Sequence, residues 1–270
     1  MSISDQYTHG HQESVRSSHR WRTADNSAGY LLPALVPGQR LLDVGCGPGS
    51  ITIDLAARVA PGEVVGLDSS EAVVVLAREA ARSAGATNLT FCTGDIYALD
   101  YPDGSFDVVH AHQVLQHLTD PVAALRELRR VARPGGLVAV RDADYAAMTW
   151  YPPSAGLDEW RALYREVTVA NRAQADAGRR LLSWVRDAGY DPAGIAASAG
   201  SWCYATPKDR AWWAELWAER STSSDFAAQA IAHGLADDVA LEYLADSWRA
   251  WGALDDAWFA VLHGEILARV

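Results

Sequence analysis

Asp43-Val44-Gly45-Cys46-Gly47-Pro48-Gly49-Ser50 is the stretch that decides the fold. It follows the apolar run Arg40-Leu41-Leu42 and precedes a helical pattern over residues 50–60 that Pro61-Gly62 stops. Glycines at a strand-to-helix junction let the backbone turn sharply and let a ligand approach the main chain. The helix behind them offers free N–H groups and the positive end of its dipole. The same alternation continues outward. The pattern predicts strands over 63–68, 89–94, 106–112 and 137–140, with helices over 70–84 and from Asp120-Pro121 onward, an aspartate cap followed by a proline at the first helical position. Strands that are apolar almost throughout and separated by helices are parallel and covered on both faces. The expected fold class is a doubly wound, Rossmann-like α/β sheet.

The flanks differ from this core. Residues 1–35 read as a polar arm, with His9, His11 and His19, followed by a helix over about 23–35 capped by Thr23. Residues 36–145 are the core. Residues 146–193 read as a helical cap insertion, with Leu157, Trp160, Leu163, Tyr164 and Val167 at helical spacing and a further helix over 178–188. Residues 194–206 suggest two short strands around Gly200-Ser201. Residues 207–270 read as a helical tail, with Trp213/Leu216/Trp217, Leu241/Leu244/Trp248/Trp251 and Leu254/Trp258/Leu262 as apolar stripes. Of the 11 tryptophans only Trp21 precedes position 149. Helical spacing favours packing for most of them, within the chain or in a homo-oligomer; Trp150 and Tyr151, just after the fifth strand, are the pair expected to touch a substrate.

The chain has 270 residues and a net charge of −11, which disfavours a nucleic-acid or anionic-membrane surface. Cys46, Cys92 and Cys203 lack zinc spacing, and no Asp, Glu or Cys clusters with the histidines, so reduced thiols and no metal are expected. The first residues lack the basic start and apolar stretch of a secretory signal, and no segment has the roughly 20 apolar residues of a membrane span. The expectation is a cytoplasmic protein.

The glycine loop departs from the dinucleotide fingerprint, because Ser50 stands at the last position of a GxGxxG counted from Gly45. The acidic-x-Gly-x-Gly-x-Gly pattern instead resembles the first motif of class I S-adenosylmethionine-dependent methyltransferases. The stretch Val114-Leu115-Gln116-His117-Leu118-Thr119-Asp120-Pro121, with Arg133-Pro134-Gly135-Gly136, is similar to that of the ubiquinone/menaquinone-biosynthesis type, although those relatives often carry histidine where Gln116 stands. The resemblance covers residues 35–140 and implies a seven-stranded sheet whose last strand is antiparallel, with 194–206 supplying the last two strands. It implies S-adenosylmethionine as cofactor. Gly45, Gly47 and Gly49 then form the cradle, and Asp43 receives the ammonium directly or through water. Asp68, with Ser69 beside it, takes the ribose hydroxyls; Asp95 takes the adenine amino group and Ile96 covers the ring. Arg22 is the candidate for the methionine carboxylate, and Gln113 is a further candidate cofactor contact.

Methyl transfer from a sulfonium is an in-line displacement in which alignment and desolvation do much of the acceleration, and a base is needed only when the acceptor must lose a proton. His112, Asp144 and Tyr145 follow the fourth and fifth strands at the crevice and are the candidate catalytic residues. His112 is equally suited to a cofactor contact, Asp144 to capping, and His117 to a structural role. The expected substrate is a small, apolar or aromatic methyl acceptor. The alternatives are a nicotinamide oxidoreductase, disfavoured because Tyr97 and Tyr101 have no lysine four residues on, and a non-catalytic cofactor-binding protein of the same fold.

Overall fold

The computed structural model describes residues 21–270 together with Asp5 and Thr8; His9, His11 and His19 of the expected arm lie outside the described residues. The expected N-terminal helix is shorter than its spacing suggests. Thr23 and Asn26 form a reciprocal cap, but α1 (Ala24–Ser27) is one turn, followed by a 3₁₀ turn at Leu32–Ala34 with Pro33 in its first positions.

The core alternation is present. The elements are β1 (Leu41–Val44), α2 (Ser50–Val59), β2 (Val64–Asp68), α3 (Glu71–Ala84), β3 (Leu89–Thr93), β4 (Phe106–His112), α4 (Pro121–Val131) and β5 (Ala132–Ala143). Leu41, Leu42, Val108, Val109, Ala139 and Val140 are sealed from both sides, as central parallel strands require. Asp120 accepts the Ala123 N–H at 2.9 Å and Pro121 opens α4, as the sequence suggests.

The last third corrects the expectation in two places. Residues 194–206 hold one strand, β7 (Ile195–Tyr204), not two. Gly200 makes no turn there. A Cβ on it would lie 2.3 Å from Glu265 Oε1, so glycine is present to admit a neighbouring side chain. The tail is not helical to its end. After β6 (Thr149–Tyr151), α5 (Ala155–Ala170), α6 (Leu181–Asp187), α7 (Pro207–Ser223), α8 (Asp225–Ala232) and α9 (Asp238–Gly252), the chain closes with the twelve-residue strand β8 (Trp258–Arg269). Leu254, Trp258 and Leu262, taken for a helical stripe, are 42%, 38% and 39% exposed. The buried series is Phe259, Val261, His263 and Glu265, a period-2 pattern whose two polar members disguise it.

The strand order is β3-β2-β1-β4-β5-β8-β6, with β7 along the other edge of β8. The first five strands are parallel, and β8 is antiparallel to β5, β6 and β7. The sheet is therefore the expected one with its last strand antiparallel, enlarged from seven strands to eight by short β6.

Helices α5, α7, α8 and α9 share one core in which Trp160, Trp217 and Trp248 are fully buried. This helical cap sits on Trp202 and Tyr204 of β7, Phe259 and Val261 of β8, and Tyr145 and Met148 after β5. Because β8 runs antiparallel, its first residues lie at the carboxyl ends of the parallel strands, where the crevice of such a fold opens. Helix α6 packs elsewhere, with Leu181 and Val185 against Leu125 and Leu128 of α4. Among the described residues no helix is long and apolar enough to cross a membrane.

Candidate active site

The glycine loop is held by its neighbours. The Gly45 and Cys46 N–H groups donate to the Leu67 carbonyl at 2.7 and 3.0 Å. Gly45 has φ +69°, and a Cβ there would lie 2.3 Å from Val114 Cγ2, so both backbone and space require glycine. Asp68 Oδ2 accepts the Gly47 N–H and Oδ1 the Ser70 N–H, each at 3.0 Å. Each oxygen keeps a lone pair for a further donor.

Asp43 sits beneath the loop. Its oxygens accept from Thr52 Oγ1 at 2.6 Å and His110 Nδ1 at 2.7 Å, and it is buried. It ties the loop to α2 and β4, and an incoming ammonium would compete with both partners. Asp95 is exposed beyond β3, where Oδ1 accepts the Tyr97 N–H at 2.9 Å; Ile96 beside it is buried and Ser69 is exposed.

Gln113 is the hinge between sheet and crevice. It is one of two non-glycine residues with positive φ among those described, at 55°, a conformation that costs energy and clusters at functional sites. Its amide oxygen accepts from Arg22 Nη2 at 2.9 Å and its nitrogen donates to His263 Nε2 at 2.8 Å. The N-terminal segment is thereby joined through β4 to the last strand. His112 precedes it, buried, with neither ring nitrogen hydrogen-bonded among the described residues; its ring lies 5.7 Å from Trp202 and 6.2 Å from His263. Burial, reinforced by the Arg141 and Arg22 charges, pushes both imidazoles well below their usual pKa, so both are neutral near pH 7. Below them Arg141 pairs with Glu265 at 3.0 Å, and Ser198 donates to the same carboxylate at 2.9 Å.

The two candidates after β5 divide. Asp144 is committed to structure. It accepts from the Arg179 side chain at 2.6 and 2.8 Å and from the Arg179 and Ala147 N–H groups at 3.1 Å, so capping is the alternative its geometry fits. Tyr145 stacks on Tyr164 at 4.0 Å and lines a narrow cleft with about 20 Å³ of free space. Gln113 and Arg22 stand in the same wall, with Trp202, Tyr204 and Trp213. Trp150 and Tyr151 do not line it. Trp150 stacks on Phe259 at 5.4 Å beneath the Arg161 guanidinium, and Tyr151 is 49% exposed. The tryptophans at the cleft are instead Trp21, Trp202, Trp212, Trp213 and Trp217. Sequence reasoning missed His263 and Trp202. Both lie in the strands misread above, and the alternation of 259, 261, 263 and 265 was the available signal for the first.

Sheet order, glycine loop and crevice define a class I methyltransferase fold. Residues 35–189 match the methyltransferase domain family, and the chain belongs to it, within the S-adenosylmethionine-dependent class. It is 35% identical to an uncharacterized methyltransferase of Schizosaccharomyces pombe over 97% of this chain and 95% of that one. It is also 31% identical to a ubiquinone/menaquinone biosynthesis C-methyltransferase of Roseobacter denitrificans over 61% of this chain and 74% of the relative. Among solved structures the YcgJ protein of Bacillus subtilis shares the fold, with a TM-score of 0.57 and 21% identity over 89% of this chain and 96% of that one.

Proposed function

We propose that this protein transfers the methyl group of S-adenosylmethionine to a small aromatic or apolar molecule held in the cleft between sheet and cap. One juxtaposition carries the proposal. Gln113 lines the cleft, and the next residue, Val114, packs on Gly45, so the acceptor space opens one residue from the glycine loop.

The polar groups fit the cofactor. Asp68, fixed by two backbone donors, takes the ribose hydroxyls, with Ser69 at the rim; Asp95 and Ile96 take the adenine edge and face. Gly45, Gly47 and Gly49, with the first turn of α2, form the cradle, and Asp43 holds that cradle rigid. Arg22, positioned by Gln113, meets the methionine carboxylate. Bound there, S-adenosylmethionine would supply an electrophilic methyl on a sulfonium, whose sulfur would keep the electron pair of the broken bond. Tyr145 and the cleft tryptophans align the acceptor and exclude water. His112, buried behind the cleft wall between Gln113 and Trp202 and not itself in the lining, is the nearest candidate base where the acceptor carries a proton. Its lowered pKa keeps it ready to accept and makes it a weak base, suited to an acidic hydroxyl.

Transfer of a labelled methyl group from S-adenosylmethionine to a panel of hydroxylated aromatics tests the proposal. His112→Gln is expected to lower kcat on phenolic acceptors by about 10²–10⁴ with cofactor affinity unchanged. A folded variant with full activity would remove His112 from catalysis.

A further inference from the structure

The last strand reaches the cofactor side through one buried imidazole. His263 stands on β8 between Ala143 of β5 and Gly200 of β7, two small neighbours that leave its ring room, and none of it is exposed. Its Nε2 lies 2.8 Å from the Gln113 amide nitrogen, and the Gln113 amide oxygen accepts from Arg22 Nη2 at 2.9 Å. Elimination fixes the direction of these bonds. A guanidinium only donates, so the Gln113 oxygen faces Arg22 and its NH₂ faces His263. An amide NH₂ in turn only donates, so His263 Nε2 accepts, and the proton of the neutral ring sits on Nδ1. Burial, with the Arg141 and Arg22 charges added, holds His263 in that neutral form.

The same imidazole braces a second side chain. Its ring meets Trp202 at 4.4 Å between centres and 62° between planes, and the Trp202 indole N–H donates to the Asn26 carbonyl at 2.7 Å. The Arg22 Cζ lies 5.4 Å from the Trp202 ring centre. Arg22, Gln113, His263 and Trp202 thus close a ring of contacts, with His263 at the corner opposite Arg22. The N-terminal segment, the end of β4 and the paired strands β7 and β8 all meet in it. Gln113 is the member that most needs fixing. Its φ of 55° costs a glutamine energy, and the next residue, Val114, packs on Gly45 of the glycine loop. Asp68 and Asp95 take their hydrogen bonds elsewhere, from Gly47, Ser70 and Tyr97.

Resting on the methyltransferase reading, we propose that His263 is a positioning residue for the methionine end of S-adenosylmethionine. It fixes the Gln113 amide and the Trp202 ring, and through Gln113 the turn that sets Val114 against the glycine loop. The adenosine end, held from β2 and β3, does not depend on it.

Calorimetry on the full chain tests this with two ligands, S-adenosylhomocysteine and 5′-methylthioadenosine, which keeps the adenosine and lacks the amino-acid end. His263→Phe keeps a flat ring beside Trp202 and removes the acceptor. It is expected to weaken S-adenosylhomocysteine about tenfold and to leave methylthioadenosine within about twofold. His263→Gln, whose amide oxygen can accept the Gln113 N–H, is expected to recover most of that loss. Gln113→Met removes the same hydrogen bond from its other side and is expected to show the same split, which keeps the test decisive if His263→Phe does not fold. The double variant is expected to bind no more weakly than Gln113→Met alone. Unchanged S-adenosylhomocysteine affinity in either folded single variant, equal losses for the two ligands, no recovery in His263→Gln, or additive losses in the double variant would overturn the proposal while leaving the methyltransferase reading in place. Failure of the wild type to bind S-adenosylhomocysteine would overturn that reading and the proposal with it.

Discussion

Asp68 carries the sharpest test at the scale of single residues. Its oxygens are already fixed by the Gly47 and Ser70 amides, so it is a preorganised acceptor for two hydroxyls. Asp68→Ala is expected to weaken S-adenosylmethionine binding by about 1–3 kcal/mol, read by calorimetry on folded protein. Unchanged affinity would remove Asp68 from the site. Asp142 gives a second test. Burial pushes its carboxyl up to about 7, although Oδ1 accepts the Gln116 N–H at 3.0 Å. At low pH the folded and unfolded states both hold this proton. As pH rises from about 4 to about 7 the unfolded chain releases it first, so stability falls over that window. Asp142→Asn is expected to abolish that part of the fall: the variant should gain on the wild type by a few kcal/mol between pH 4 and 7 in urea unfolding. A stability difference that stays flat with pH would mean that Asp142 ionises normally in the fold. The placement of Asp43, Asp68 and Asp95 at or just beyond strand ends was legible from the unbroken α/β alternation. Whether Asp43 and Asp144 face a ligand or a neighbour was not, because it depends on His110 and Arg179, which lie 67 and 35 residues away.

Among the elements, β7 and β8 show where local pattern stops being informative. A glycine inside a run reads as a turn, yet Gly200 runs straight through because Glu265 of β8 needs the space. Gly200→Ala is therefore expected to destabilise the protein by about 1–3 kcal/mol, since Glu265 would be driven from its buried pair with Arg141. Chemical denaturation measures it, and a neutral result would mean that β7 has room to shift. His263 and Glu265 occupy the inward face of β8, so its alternation is not one of hydrophobicity, and helical spacing of Leu254, Trp258 and Leu262 filled the gap. The parallel strands posed no such difficulty, being apolar on both faces.

The whole molecule joins five parallel strands legible from its sequence to antiparallel strands that were not, and to a cap whose helices were legible but whose arrangement was not. Trp160, Trp217 and Trp248 meet at 4.4–6.1 Å in the middle of four helices. Trp248→Ala is expected to cost about 3–5 kcal/mol of stability, seen as a lower urea midpoint. A change in acceptor affinity without loss of stability would contradict the packing role. The Trp-rich remainder of the chain thus serves two ends, a packed centre at Trp160 and Trp248 and a cleft wall at Trp202 and Trp213. The central claim is that the glycine loop and Asp68 serve S-adenosylmethionine. Calorimetric titration of the purified chain with S-adenosylhomocysteine, beside a titration with NAD, tests it most directly. The account predicts one S-adenosylhomocysteine bound per chain with micromolar affinity and no heat from NAD; binding of NAD with none of S-adenosylhomocysteine would contradict it.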